Sequence, residues 1–220
     1  MSEIYLITYD RPHRKTQDLL LRYNLRGIRP VLVVTPYKEF TKRPVPLYDL
    51  SPGEPIGVSE YHQMIDHSVI MSEDLPTNVR YVIGGCQLLP ESFVVGREIF
   101  NAHPGVLPYV RGLDSIKWAI LNSDSPIGYT IHIIDEKVDW GLFVMRRLID
   151  ISPNDTIHTI SRKIYDGSLN DLVVTSLEST PPYMRIEGND KYYPPTKRMP
   201  TVLERHLDSA LSERTRKAVL

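Results

Sequence analysis

The sequence predicts an α/β fold with a largely parallel central sheet, on three observations. Residues 31–35 (VLVVT) form a short apolar run rich in β-branched side chains, the pattern of a strand buried on both faces. Strand-like runs of this kind alternate with helix-periodic stretches through the first half of the chain. The composition, 41% hydrophobic and 24% charged over 220 residues, suits one domain with a full core.

Taken in order, residues 4–8 read as the first strand and 10–13 as a turn. Residues 16–26 form a helix with Thr16 as its N-cap and Gly27 just past its end. With the strand at 31–35, the opening is one βαβ unit. Residues 36–55 carry five prolines and make a long loop, and long loops in compact domains are often functional. A helix near 59–70 is followed by strands at 81–83 and 98–100 and a helix at 113–121. Strands at 129–134 and 142–151 precede a long amphipathic helix from Asp155 to about Glu178, interrupted by Gly167. Its apolar stripe holds Ile157, Ile160, Ile164 and Leu172. Five more prolines between 181 and 200 imply an irregular arm or hairpin, and 202–217 reads as a polar terminal helix. We therefore expect a main domain over 1–180 and an arm plus helix over 181–220, the latter serving ligand binding or a homodimer contact.

Charge and composition exclude several classes. With 26 basic against 27 acidic residues the net charge is −1, without the basic excess that phosphate neutralisation demands of a nucleic-acid binder. One cysteine, Cys86, leaves no internal disulfide and no Cys-rich zinc site. The opening MSEIYLITYD lacks a secretory pattern, and no apolar run approaches the ~18 residues that cross a bilayer. A cytoplasmic protein without membrane contact is expected.

Two segments stand out for chemistry. In Asn101-Ala102-His103-Pro104-Gly105, the Asn and His lie two apart at a strand end, so both side chains leave one face. An amide can donate to a developing oxyanion while an imidazole moves a proton, a sensible pair for acyl transfer. Read alone, the segment is better explained by a structural Asn and His in a strand-end turn. The second segment, 128–141 (GYTIHIIDEKVDWG), offers Asp135 and Asp139 in a loop between apolar strands. A carboxylate there can orient an imidazole, or can belong to an ordinary acidic turn.

Together the two segments resemble the 10-formyltetrahydrofolate-dependent formyltransferases. The motifs in this chain are Asn101-Ala102-His103-Pro104, Leu107-Pro108, Arg111-Gly112, Gly128-Tyr129-Thr130-Ile131-His132 and Asp139-Trp140-Gly141, in order over roughly residues 81–165. The resemblance implies a Rossmann-like formyltransferase fold and direct formyl transfer without a covalent enzyme intermediate, so Cys86 is not a nucleophile. It implies that Asn101 holds the oxyanion of the tetrahedral intermediate, that His103 shuttles the proton of the attacking amine, and that Asp139 orients His103. It places the folate at Gln87, Leu88, Leu89 and the Asp135–Asp139 loop, Val138 included, although Leu88 and Leu89 read alone also suit a core. Gly105 stands where many relatives have Ser, and Gln87 where many have Arg. A zinc hydrolase built on His103, His132 and Asp139 is the metal alternative. His132 reads better as a hydrogen-bonded structural histidine, so no metal is expected.

For the amine acceptor, relatives acting on glycinamide ribonucleotide hold its phosphate with a Gly-Ser-rich loop after the first strand. This chain has Tyr9-Asp10-Arg11-Pro12-His13 there. The residues after Ser179 are too few for the C-terminal barrel of methionyl-tRNA formyltransferases. The Tyr192-Tyr193-Pro194 and Arg198-Met199-Pro200 arm resembles compact sugar formyltransferases, which act on nucleotide-linked amino sugars for surface-polysaccharide biosynthesis. Acceptor contacts are therefore expected from Arg11, His13, Tyr192 and Arg198, though Tyr192 and Arg198 could equally pack the arm onto the domain. An assembly-line formyltransferase acting on a carrier-bound aminoacyl group is the main rival.

Overall fold

The computed structural model describes residues 3–37, 67–178, 180, 182–188 and 199–218. Strands β1 (Ile4–Tyr9), β2 (Val31–Thr35), β3 (Val69–Ile70), β4 (Arg80–Ile83), β5 (Glu98–His103), β6 (Gly128–Ile133), β7 (Leu142–Leu148) and β8 (Met184–Arg185) form one sheet, ordered β3-β2-β1-β4-β5-β6-β7-β8. Pairings from β3 through β5 are parallel, and those from β5 through β8 are antiparallel. The expected sheet is thus mixed, with a parallel half that begins with the predicted βαβ unit. The antiparallel half escapes a periodicity reading because β6 is buried along its whole length, as a parallel strand would be.

Alternation along the strands feeds a core on each face. Ile4, Leu6, Val82 and Phe100 pack with helices α1 (Arg14–Asn24), α3 (Ser115–Leu121), α4 (Ile157–Glu178) and α6 (Leu207–Ala218). Ile7, Val33, Tyr81 and Ile99 pack on the other face with Phe93 and Val94 of α2 (Glu91–Val94). Met199, Leu207 and Leu211 belong to the first core, so the described C-terminal segment is continuous with the rest of the fold. Removing a fully buried side chain such as Ile164 or Leu172 costs about 2–5 kcal/mol.

Local chemistry corrects four expectations. Helix α1 starts at Arg14 with His13 as N-cap. Thr16 lies inside it, its hydroxyl 2.8 Å from that of Thr8. At the other end Gly27 takes φ +72°, and Ile28 N–H closes the helix on Tyr23 O, as a C-terminal glycine should. Of the helix expected near 59–70, residues 59–66 lie outside the described residues, while Val69 and Ile70 form β3. Gly167 does not interrupt α4: a Cβ there would lie 2.9 Å from Tyr129 Oη, so the glycine lets the helix approach β6. The C-terminal helix is two, α5 (Thr201–Glu204) and α6, broken at Arg205 and His206. Helix α4 opens with a reciprocal cap, Thr156 N–H to Thr159 Oγ1 and Thr159 N–H to Thr156 Oγ1. Among the described residues, no helix is long and apolar enough to cross a membrane.

Candidate active site

Antiparallel pairing of β5 with β6 sets Asn101 opposite His132 and His103 opposite Thr130. Each motif side chain therefore has its support directly across the ladder. Thr130, fully buried, donates its hydroxyl to Gly105 O and accepts Leu107 N–H, both at 3.0 Å, fixing the turn after His103. His132 sits at an irregularity in the β6–β7 register, a distortion that re-aims side chains near functional sites.

The hydrogen bonds fix both ring tautomers. His132 Nδ1 faces Trp140 O at 2.9 Å, and a carbonyl only accepts, so Nδ1 carries the proton. Burial holds this ring neutral, its pKa pulled down to about 4, with nearby Asp139 opposing and His103 and Arg111 reinforcing. Nε2 is then an acceptor, and Asn101 Nδ2 at 3.2 Å must donate to it. That bond decides which way the Asn101 amide is flipped and leaves its second N–H available. His103 Nε2 likewise donates to Val110 O at 2.9 Å, so in the neutral ring Nδ1 is bare and faces Asp139 Oδ1 at 3.4 Å. The separation is long for a hydrogen bond and short for an ion pair, poised to tighten when Nδ1 gains a proton.

Asp139 is built to remain charged. Burial pushes its carboxyl up, but His103 first, then His132 and the N–H of Gly112, together hold it well below the carboxylate range. The Gly112 N–H reaches Oδ2 at 2.6 Å. Asp139 stands at φ +55°, a left-handed conformation that costs a residue with a Cβ about 1–2 kcal/mol. Gly141 follows at φ +109°, where any Cβ would collide with Ile133 O. The chain thus turns sharply enough to bring Asp139 back over His103. Arg111, fully buried, stacks 3.5 Å from the Trp140 ring centroid and ties the loop after β5 to the loop after β6.

Gly105 is fitted to this arrangement. A Cβ there would lie 2.8 Å from His103 Nε2 and 3.1 Å from Ser115 Cβ. Gly105→Ala should therefore displace the imidazole from Val110 O and lower kcat about tenfold or more, with little change in Tm. Steady-state kinetics beside a thermal melt check this, and unchanged kcat would refute the fit.

The other predicted residues are distributed as follows. Gln87 and Leu89 are half-buried after β4, Leu89 resting on the second core, and Leu88 is 80% exposed rather than core. Val138 is half-buried. Asp135 accepts Lys137 N–H through Oδ1 and pairs with Arg185 through Oδ2 at 3.1 Å. Arg11 stacks 3.0 Å from the Tyr37 ring centroid beyond β1. His13 Nδ1 lies 3.3 Å from Thr16 Oγ1, and burial, helped by Lys15 and Arg11, lowers its pKa to about 4. It can offer an anion only a neutral ring. Tyr192 and Arg198 lie outside the described residues. Burial raises the Cys86 thiol to about 11, against the pull of Lys15, so it is protonated and poorly nucleophilic at neutral pH. Among the described residues no group of three metal-ligating side chains gathers. Sequence reasoning missed what His132 does for Asn101, because that role depends on the antiparallel register.

His13 and His132 also set acid sensitivity. Each has a folded pKa near 4 against an ordinary 6.5, so between these values the unfolded chain binds more protons. Stability is retained above pH 6.5 and is lost as pH falls toward 4, by about 1.4 kcal/mol per pH unit for each ring. Urea unfolding at pH 7 and pH 5 measures this, and equal stabilities would contradict it.

A family model described as formyl transferase matches residues 59–174, and the chain belongs to that family. It is 28% identical over 127 residues to a methionyl-tRNA formyltransferase of Prochlorococcus marinus, covering 57% of this chain and 39% of that one. It is 32% identical over 95 residues to a GDP-perosamine N-formyltransferase of Brucella melitensis, covering 42% and 37%. The chain thus spans well under half of these curated relatives. In fold it is similar to an N-formyltransferase from Helicobacter canadensis solved with folinic acid and dTDP-3-aminofucose. That match has a TM-score of 0.60 and 17% identity, covering 87% of this chain and 69% of that one.

Proposed function

We propose that the protein is an N-formyltransferase that moves a formyl group from 10-formyltetrahydrofolate to the amine of a nucleotide-linked amino sugar. The observation that carries this reading is the convergence of an amide of fixed orientation, Asn101, with a His103–Asp139 pair able to take up a proton. In the reaction the acceptor nitrogen bonds to the formyl carbon and the bond from that carbon to the folate nitrogen breaks. The free N–H of Asn101 meets the negative charge on the formyl oxygen. The attacking amine must lose a proton and the departing nitrogen must gain one. His103 Nδ1 holds that proton between the two events, stabilised by Asp139.

The residues present suit the donor. Exposed Leu88, with Leu89 and Ile134 half-buried on the same core, offers apolar surface for a flat heteroaromatic ring, and Gln87 and Asp135 supply polar groups beside it. An amino-sugar acceptor is favoured by the turn at Tyr9–His13, which has no glycine to expose amides to a phosphate. The GDP-perosamine relative and the fold shared with the dTDP-3-aminofucose complex point the same way. Arg11, Tyr192 and Arg198 are the proposed acceptor contacts. The test follows tetrahydrofolate release against a panel of nucleotide-linked amino sugars, with glycinamide ribonucleotide, methionyl-tRNA and carrier-bound amino acids beside them. Turnover with a sugar supports the reading, and turnover confined to another acceptor replaces it.

A further inference from the structure

We propose that Asp114 is a positioning residue that fastens the C-terminal segment to the catalytic loop and so holds His103 and Asp139 in register. The proposal rests on the formyl-transfer reading of that pair. Asp114 occupies the N-cap position of α3, where an aspartate ordinarily takes extended backbone and accepts the helix's first N–H groups. Here it stands at φ +57°, ψ +27°, and its carboxylate makes no capping bond. Instead Oδ2 accepts the N–H of Met199 at 2.9 Å. Oδ1 lies 3.8 Å from Lys117 Nζ, which also binds Glu204.

Met199 is 5% exposed and shares the main core with Leu207 and Leu211, so the tether ends in fixed structure. The left-handed conformation is unfavourable for a residue with a Cβ, and such outliers persist only where surrounding contacts impose them. Two residues before Asp114, Gly112 donates its N–H to Asp139, and four residues before it Val110 accepts from His103 Nε2. Gly112 is itself left-handed, at φ +76°. A span this short and this tightly folded cannot relax at 114 without moving the groups at 112 and 110.

Three full-length variants separate the tether from backbone strain. Asp114→Gly keeps the left-handed backbone at ease but removes the tether. Asp114→Asn keeps an acceptor oxygen and tolerates the conformation. Asp114→Ser, too short to reach Met199 N–H, replaces the glycine variant if that one does not fold. The expected result for Asp114→Gly is a kcat loss of about tenfold to a hundredfold with acceptor KM within about twofold, and most of the loss restored in Asp114→Asn. The imidazole NMR resonances of His103, read without substrate, should shift in Asp114→Gly and stay in place in Asp114→Asn. Wild-type kcat with an unshifted resonance in Asp114→Gly overturns the proposal. Should the wild-type protein formylate no amine, the functional reading falls, and the His103 resonance alone decides the tether by the same two outcomes.

Discussion

Replacing His103 with alanine should lower formyl-transfer turnover at least ~100-fold while leaving the fold in place, the scale of lost acid–base assistance. The ring is 3% exposed and works through two contacts, Nε2 on Val110 O and Nδ1 on Asp139. Its removal leaves the Asp139 carboxylate facing a small cavity, and nothing else in the described site offers a nitrogen placed to take and return the proton. Cys86 cannot substitute, because burial keeps its thiol protonated. His132 cannot either, since its protonated nitrogen is committed to Trp140 O and its other nitrogen to Asn101. Single-turnover kinetics of a folded His103→Ala variant decide the matter. A rate within a few-fold of wild type would remove His103 from the chemistry.

Asn101→Ala should cost about 10²–10³ in kcat, the measure of one lost oxyanion donor. The effect should fall on kcat rather than on KM for either substrate, because the N–H acts on charge that appears only in the transition state. His132→Ala should give a smaller loss of the same kind, since it frees the amide to rotate without removing it. If Asn101→Ala raised KM with kcat unchanged, Asn101 would be a binding group instead.

The candidate site could be picked out in the chain because several short motifs recur in a family's order and spacing. Asn101 and His103 two apart, and Asp139 two before a glycine, read alone as ordinary turn residues, and they stand out only as a set of motifs in order along the chain. What supports them could not be read the same way. The Asn101–His132 bond depends on an antiparallel ladder between two strands that hydrophobicity alone assigns to a parallel sheet. Asp114 falls inside the helix expected over 113–121, and its partner Met199 is 85 positions away, beyond the reach of any local pattern. Gly167 reads as a break because propensity penalises it, whereas the Tyr129 ring requires it. In the fold, strands and helices were visible as units, while the reversal of direction after β5 was not.

Arg214 spans from α6 to the end of α3, its Nη1 donating to Ala119 O and Asn122 O and its Nη2 to Ser125 O. Those carbonyls close the helix that begins just after the catalytic loop, and their donor lies 89 to 95 positions later in the chain. During synthesis the ribosome therefore releases the Asn-Ala-His segment long before the group that completes the neighbouring helix has been made. In the nascent protein the site's chemical groups are therefore made before the donor that closes the neighbouring helix, and α3 gains its C-terminal partner only when α6 arrives.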